Sequence, residues 1–239
     1  TITVSDPGNY WVTVLDNNGC TGSDTISVEL SPAVVVSLGG DTTLCIGDDY
    51  ILNPGDNFTS YLWQDGSTGS YYNIVNPGIY WVEVTDIYGC NGADTVSIDF
   101  VPSPEVNLGN DTTICTGTTL TLNPGTQYSS YLWQDNSTLP QYTLNTTGFY
   151  SVTVTNVYNC PASDEIFIEV TSPDIDLGPD TILCLGDTLH LDPGQGYANY
   201  VWQDNTSQSQ YTVLNGGVFN VAVTDIYNCT TIDTVTIEG

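Results

Sequence analysis

The sequence predicts an all-β protein built as a string of small sandwiches. Three observations carry that prediction. One segment recurs three times end to end. Apolar residues inside it alternate with period two rather than 3.6. Turn signals punctuate it every ~8–12 residues.

The first copy runs LGGDTTLCIGDDYILNPG, then YLWQDG, GIYWVEVTDIYGC and DTVSIDF. The second runs LGNDTTICTGTTLTLNPG, then YLWQDN, GFYSVTVTNVYNC and DEIFIEV. The third runs LGPDTILCLGDTLHLDPG, then YVWQDN, GVFNVAVTDIYNC and DTVTIEG. Cys45 to Cys115 spans 70 positions and Cys115 to Cys184 spans 69, so the repeat is about 70 residues long. That is close to the smallest size that folds around its own core. Residues 1–32 match only the back half of a repeat, with GNYWVTVLDNNGC and DTISVELSP. The expected organisation is therefore a C-terminal half repeat (1–32) and three whole repeats (33–104, 105–173 and 174–239). Ser31-Pro32, Ser103-Pro104 and Ser172-Pro173 recur at the junctions, where proline suits a short stiff linker. No charged leader with an apolar stretch precedes the first strand pattern, so the segment reads as a mature or internal piece.

Within a repeat each element has its own signal. Leu120 and Leu122 alternate with Thr119 and Thr121 on an early strand. Asn-Pro-Gly (53–55, 123–125) and Asp-Pro-Gly (192–194) are turns. Trp63, Trp133 and Trp202 mark a middle strand. Val82 and Val84, Val152 and Val154, and Val221 and Val223 form the inward face of a late strand. A Cys before one strand, a Trp on the next and a Cys after a late strand give an immunoglobulin-like order.

The seven cysteines admit two pairings. In the preferred one each repeat carries its own bond: Cys45–Cys90, Cys115–Cys160 and Cys184–Cys229, with Cys20 unpaired within this chain. Each would stabilise its repeat by roughly 3–4 kcal/mol. The competing set, 20–45, 90–115 and 160–184, crosses the junctions. Either places the protein outside a reducing cytosol.

Charge removes whole classes of function. The chain has 28 acidic residues, one His and no Lys or Arg, for a net charge of −28. Nothing here neutralises a phosphate backbone or docks a basic patch on an anionic membrane. No apolar run is long enough to span a bilayer. With one His and no Lys, no ordinary nucleophile–base pair can be assembled, and no enzyme is expected. His190 sits between Leu189 and Leu191, so alternation points it to the outside of a strand.

The acids recur in place: Asp41, Asp111 and Asp180 in LGxDT, Asp65, Asp135 and Asp204 in WQD, and Asp86 and Asp225 before the second Cys. Two readings stand. They are turn formers with solvated charge, or they are oxygen ligands for Ca²⁺, the one candidate cofactor. Asn-x-Ser/Thr at Asn57, Asn110, Asn136, Asn145 and Asn205 marks candidate N-glycosylation.

The combination LGxDTxxC, NPG, YLWQDG/N, GxYxVxVTDxYGC and DTVxI resembles the PKD-like or immunoglobulin-like repeats of secreted Bacteroidota surface adhesins and fibre proteins. The resemblance implies tandem immunoglobulin-like (PKD-like) β-sandwiches in an extended array, and a secreted, cell-surface setting. It also implies O-glycosylation in the Asp-Thr triplets, at Thr25, Thr42, Thr95, Thr112, Thr181, Thr188 and Thr234. The expected function is structural: an extracellular filament or surface stalk that self-associates, with the half repeat either completed by strands of another protomer or cut from a longer array. The alternative is an adhesin module in which exposed Trp11 and Trp81 stack on glycans or meet a surface receptor.

Overall fold

A computed structural model describes all 239 residues, Thr1–Gly239. The chain contains 20 strands and no helix. It divides into two compact units, Thr1–Pro102 and Ser103–Gly239.

The first unit opens with a hairpin of β1 (Gly8–Leu15) and β2 (Thr21–Val28). A sandwich follows, made of β3 (Thr42–Cys45), β4 (Tyr50–Leu52), β5 (Ser60–Trp63), β6 (Tyr72–Ile74), β7 (Gly78–Thr85) and β8 (Asn91–Val101). One sheet has the order β3-β8-β7-β5 and the facing ribbon is β4-β6. β3 runs parallel to the end of β8, while β7–β8 and β5–β7 are antiparallel. A first strand lying parallel beside the last, within a sheet that also holds the central Trp strand, is the immunoglobulin-like arrangement.

The second unit holds two more such sandwiches. The first is β9 (Thr112–Cys115), β10 (Leu120–Leu122), β11 (Ser130–Trp133), β12 (Tyr142–Leu144), β13 (Gly148–Thr155) and β14 (Pro161–Thr171). The second is β15 (Thr181–Ile182), β16 (Leu189–Leu191), β17 (Asn199–Trp202), β18 (Tyr211–Val213), β19 (Gly217–Thr224) and β20 (Thr230–Glu238). Their sheet orders repeat that of the first. The fold class read from the sequence, tandem immunoglobulin-like β-sandwiches, is the one found.

Each sandwich has its own core. In the first, Leu52, Trp63, Ile74, Val82, Val84, Val96 and Ile98 are buried together. Leu122, Trp133 and Val152 and then Leu191, Trp202 and Val221 stand in the same places in the other two. The indole N–H of each Trp donates to a backbone carbonyl, on Gly69, Leu139 and Gln208, at 2.8 Å in every case. Burial of the ring therefore leaves no polar atom unpaired. The Pro-Gly turns close with Gly55, Gly125 and Gly194 at φ 107°, 115° and 100°, which glycine alone adopts without strain. Tyr61, Tyr131 and Tyr200 donate their hydroxyls to the carbonyls of those same glycines.

The half repeat has the strands but not the core. Val12 is 57% exposed where its counterpart Val82 is 0%. Val14 and Ile26 are exposed too, and Tyr10 and Val28 only half-buried.

The cysteines differ from both expected pairings. Cys115 bonds Cys229. Cys20, Cys90 and Cys184 are free thiols, and neither Cys45 nor Cys160 is free. The within-repeat bonds Cys45–Cys90, Cys115–Cys160 and Cys184–Cys229 are thus replaced. The reason lies in β14. Cys115 stands opposite Thr171 at one end of that strand, and Cys160 precedes Pro161 at the other. Ten strand residues separate those ends by about 33 Å, whereas a disulfide needs Cα atoms within about 7 Å. The immunoglobulin-like Cys…Trp…Cys order holds in sequence, but the positions that would face each other across the core belong to Leu122 and Val152 instead.

Candidate functional site: the joint between repeats

Every complete repeat has two ends. The hairpin end carries the tight turn before its last strand, with Cys90, Cys160 or Cys229 beside it. The far end is where the first strand finishes against the last, with Cys45, Cys115 or Cys184. In the second unit these ends meet. Cys115, at the far end of one sandwich, reaches Cys229, at the hairpin end of the next, with Cα atoms 5.2 Å apart.

Local hydrogen bonds hold both sulfurs in place. Thr116 donates its N–H to the Thr171 carbonyl at 2.8 Å, and its hydroxyl reaches the same oxygen. The Cys115 carbonyl accepts from the N–H and hydroxyl of Thr118. On the other side, Asp225 accepts from the backbone N–H groups of Tyr227 and Cys229, both at 2.9 Å. The same turn recurs around Asp16, Asp86 and Asn156. At Asp16 the N–H groups of Cys20 and Asn18 hold the carboxyl below its ordinary range. Cys229 is buried.

The recurring acids proposed as Ca²⁺ ligands are dispersed, and each already has donors. Asp41, Asp111 and Asp180 accept from the N–H of Ser97, Phe167 and Thr236, each 56 positions away and at 2.8 Å. Asp94, Asp164 and Asp233 answer in the other direction, accepting from Leu38, Leu108 and Leu177 at 2.6–2.7 Å. Two carboxylates thus act as rungs between first and last strand where no backbone ladder forms. Asp65, Asp135 and Asp204 accept from the next turn and from the hydroxyls of Tyr72, Tyr142 and Tyr211. Asp86 and Asp225 hold the turns described above. Nowhere do three His, Cys, Asp or Glu side chains converge in a group suited to a metal ion.

The carboxylate rungs also bear on the Asp-Thr triplets. In the middle repeat the Thr is replaced by Glu165, yet Asp164 keeps its bond to Leu108. The Asp therefore recurs for the fold. Of the threonines, Thr25, Thr95, Thr112, Thr181, Thr188 and Thr234 are exposed and Thr42 is half-buried. Asn57, Asn110, Asn136, Asn145 and Asn205 are exposed. Asn136 and Asn205 adopt φ 66° and 64° where the first repeat has Gly66 at 84°. Asn is the side chain that best tolerates that turn, which accounts for its recurrence in WQDN.

The outer face carries Trp81, 37% exposed, opposite Thr95, and Trp11, 73% exposed, opposite Thr25. His190 is exposed as alternation predicts, with Nδ1 3.1 Å from the Thr212 hydroxyl.

No family model and no curated protein matches the chain. Among solved structures it is similar to Sidekick-1 immunoglobulin domains 1–4, at 11% identity over 96% of this chain and 89% of that one, with a TM-score of 0.31. It is similar to Drosophila OTK extracellular domains 3–5, at 10% identity over 86% and 96%, TM-score 0.30. It is also similar to the Bacteroides ovatus mixed-linkage glucan utilisation locus protein SGBP-B in complex with a heptasaccharide, at 12% identity over 98% and 71%, TM-score 0.21. At these scores no partner or activity carries across.

Proposed function

We propose that this chain is a tension-bearing structural element of an extracellular filament or surface stalk, of the kind its motifs resemble in Bacteroidota surface proteins. The observation that carries this reading is the Cys115–Cys229 bond, which ties one sandwich to its neighbour instead of closing either. A bond within a bead would protect that bead. A bond between beads resists their separation, which is what a stalk requires. Disulfides also fit an oxidising, extracellular setting.

The bond defines the path of force. While it is intact, the segment between Cys115 and Cys229 cannot be drawn out to its full length. That segment is 114 residues, about 390 Å of contour at ~3.4 Å per residue, and reduction lets more of it extend. Stretching the full chain by its ends, with and without reductant, measures this. A gain in length is expected. Equal lengths in both conditions would remove the mechanical role of the bond. In cells, Cys115→Ser should leave filaments that shorten under agitation; wild-type material that forms no filament or stalk would overturn the reading.

A second reading, a glycan- or receptor-binding adhesin, is favoured by the two exposed indoles. Trp81→Ala should then abolish binding on a glycan array; absence of binding by the unaltered protein ends that reading.

A further inference from the structure

Complete repeats of one fold reveal which residues that fold does not need. On the outer face of the late hairpin, Ile79 stands opposite Ser97 in the first sandwich and Val218 opposite Thr236 in the third. In the second sandwich the same pair is Phe149 and Phe167. Their ring centroids lie 4.8 Å apart, with the planes at 52°. Phe149 is 65% exposed and Phe167 is half-buried. Both point away from the core, because their strand neighbours Tyr150, Ile166 and Ile168 are buried in it.

A further departure from the repeat stands beside these rings. The next outward pair is Ser151 and Glu165, where the other sandwiches have Trp81 with Thr95 and Asn220 with Thr234. The preceding Asp keeps its bond to the distant Leu N–H in all three, so the fold does not ask for a carboxylate at position 165. Side chains two apart on a strand share a face, about 7 Å from each other along it. Glu165 and Glu169 therefore flank Phe167 on its own strand, and both are exposed. Asp111, just before β9, accepts from the Phe167 N–H at 2.8 Å. Cross-strand packing of two rings stabilises a hairpin by itself, but it gives no reason for an added negative charge next to them.

One kind of occupant accounts for the exposed rings and the charge together. Aromatic faces attract cations, and neighbouring carboxylates add to that pull. The chain has no Lys or Arg to fill the place, and a second copy of these residues brings none either. An anionic ligand would meet a net charge of −28. We propose that the Phe149–Phe167 pair, with Glu165 and Glu169, is a docking surface for a basic partner protein. An Arg or Lys side chain of that partner lies over the exposed Phe149 ring, with its charge turned to the carboxylates. Arg suits the place better, since its planar guanidinium stacks on a ring and forks onto a carboxylate at once. This goes beyond the mechanical reading and does not rest on it, so a negative stretching result leaves it standing.

The probe is a short arginine-bearing Gly-Ser peptide, with a twin in which the neutral isostere citrulline replaces arginine. Binding to the full chain is followed by chemical-shift changes. These should centre on Phe149, Ser151, Glu165 and Phe167, and the citrulline twin should bind roughly fivefold more weakly. Phe149→Ile combined with Phe167→Ser installs the residues of the first sandwich. The second sandwich should then keep its thermal transition while affinity for the arginine peptide falls roughly three- to fivefold. Glu165→Thr, also a residue of the other repeats, should weaken binding and flatten its salt dependence. Shifts spread evenly over the three sandwiches, or unchanged affinity in the double variant, would reduce the attraction to the general charge of the chain and overturn the proposal. Equal binding of the citrulline twin would overturn it too. So would a neutral oligosaccharide that shifts these rings when the arginine peptide does not, which would make the pair a sugar platform instead.

Discussion

At the scale of single residues, the repeats serve as internal controls for one another. Tyr80 and Tyr150 donate their hydroxyls back to the carbonyls of Asn76 and Thr146, at 2.6 and 2.7 Å. This locks the corner before the late strand, as in other immunoglobulin-like sandwiches. The third repeat has Phe219 at that position and makes no such bond. Tyr150→Phe should therefore lower the stability of its repeat by about 1 kcal/mol, and Phe219→Tyr should raise that of the third by a similar amount. Repeat-resolved denaturant melts check both; a gain at position 150 or a loss at 219 would contradict the assignment. Asp164 makes a stricter case. Removing its side chain leaves the part-buried Leu108 N–H unpaired, so Asp164→Ala should cost about 1–3 kcal/mol, measured the same way. That role was hidden in the sequence because donor and acceptor lie 56 positions apart. The fixed offset between LGxDT and the later Asp-Thr was the available signal.

At the scale of elements, strand and turn identity was legible because both are local. Alternation through Val152 and Val154 names a half-buried strand, and Asn-Pro-Gly names a turn, with no knowledge of the partner strand. The central Trp is equally plain, and Trp133→Ala should cost about 3–5 kcal/mol and melt the second sandwich first. Disulfide pairing was not legible. Two cysteines 45 positions apart look close in sequence, but one sits at the end of a short first strand and the other precedes a long last strand, so strand direction sends them to opposite ends.

The Asp–Tyr pairs at the WQD turn give a pH signature. The Ser67 N–H holds the Asp65 carboxyl below the ordinary 3.8, and Ser137 and the hydroxyl of Thr206 do the same for Asp135 and Asp204. Their contribution is present above 3.8 and is lost as pH falls through the lower folded values. Burial pushes Tyr72 and Tyr142 above the ordinary 10.0, and the hydrogen bond to Asp204 does so for Tyr211. Their contribution is complete below 10.0 and is lost as pH rises through the folded values. Asp135→Asn should flatten the acid limb for the second repeat, and absorbance titration of its tyrosines should show the Tyr142 value fall towards 10.0. An unchanged acid limb would place the pH sensitivity elsewhere.

At the scale of the whole molecule, charge and covalent links act against each other. A chain with 28 acids and no Lys or Arg repels itself throughout. Melting temperature should therefore climb as salt is raised from about 10 to 150 mM, while the Debye length drops from about 30 to 8 Å. A flat response would mean that the carboxylates are neutralised by a bound cation. The distribution of acids along the chain was readable from the sequence. The compensation was not, since backbone N–H groups and tyrosine hydroxyls brought from distant positions are what the carboxylates face.

One further consequence follows from the parallel pairing of β9 with β14. The chain comes in near the hairpin end of a sandwich and departs from the opposite end, so a pull on both termini slides these two strands lengthwise past each other. In that geometry the rungs yield together in shear, whereas a zipper opens them singly. The carboxylate rungs at Asp111 and Asp164 lie along the same seam, so under traction they share the load with the β9–β14 ladder instead of waiting their turn to break.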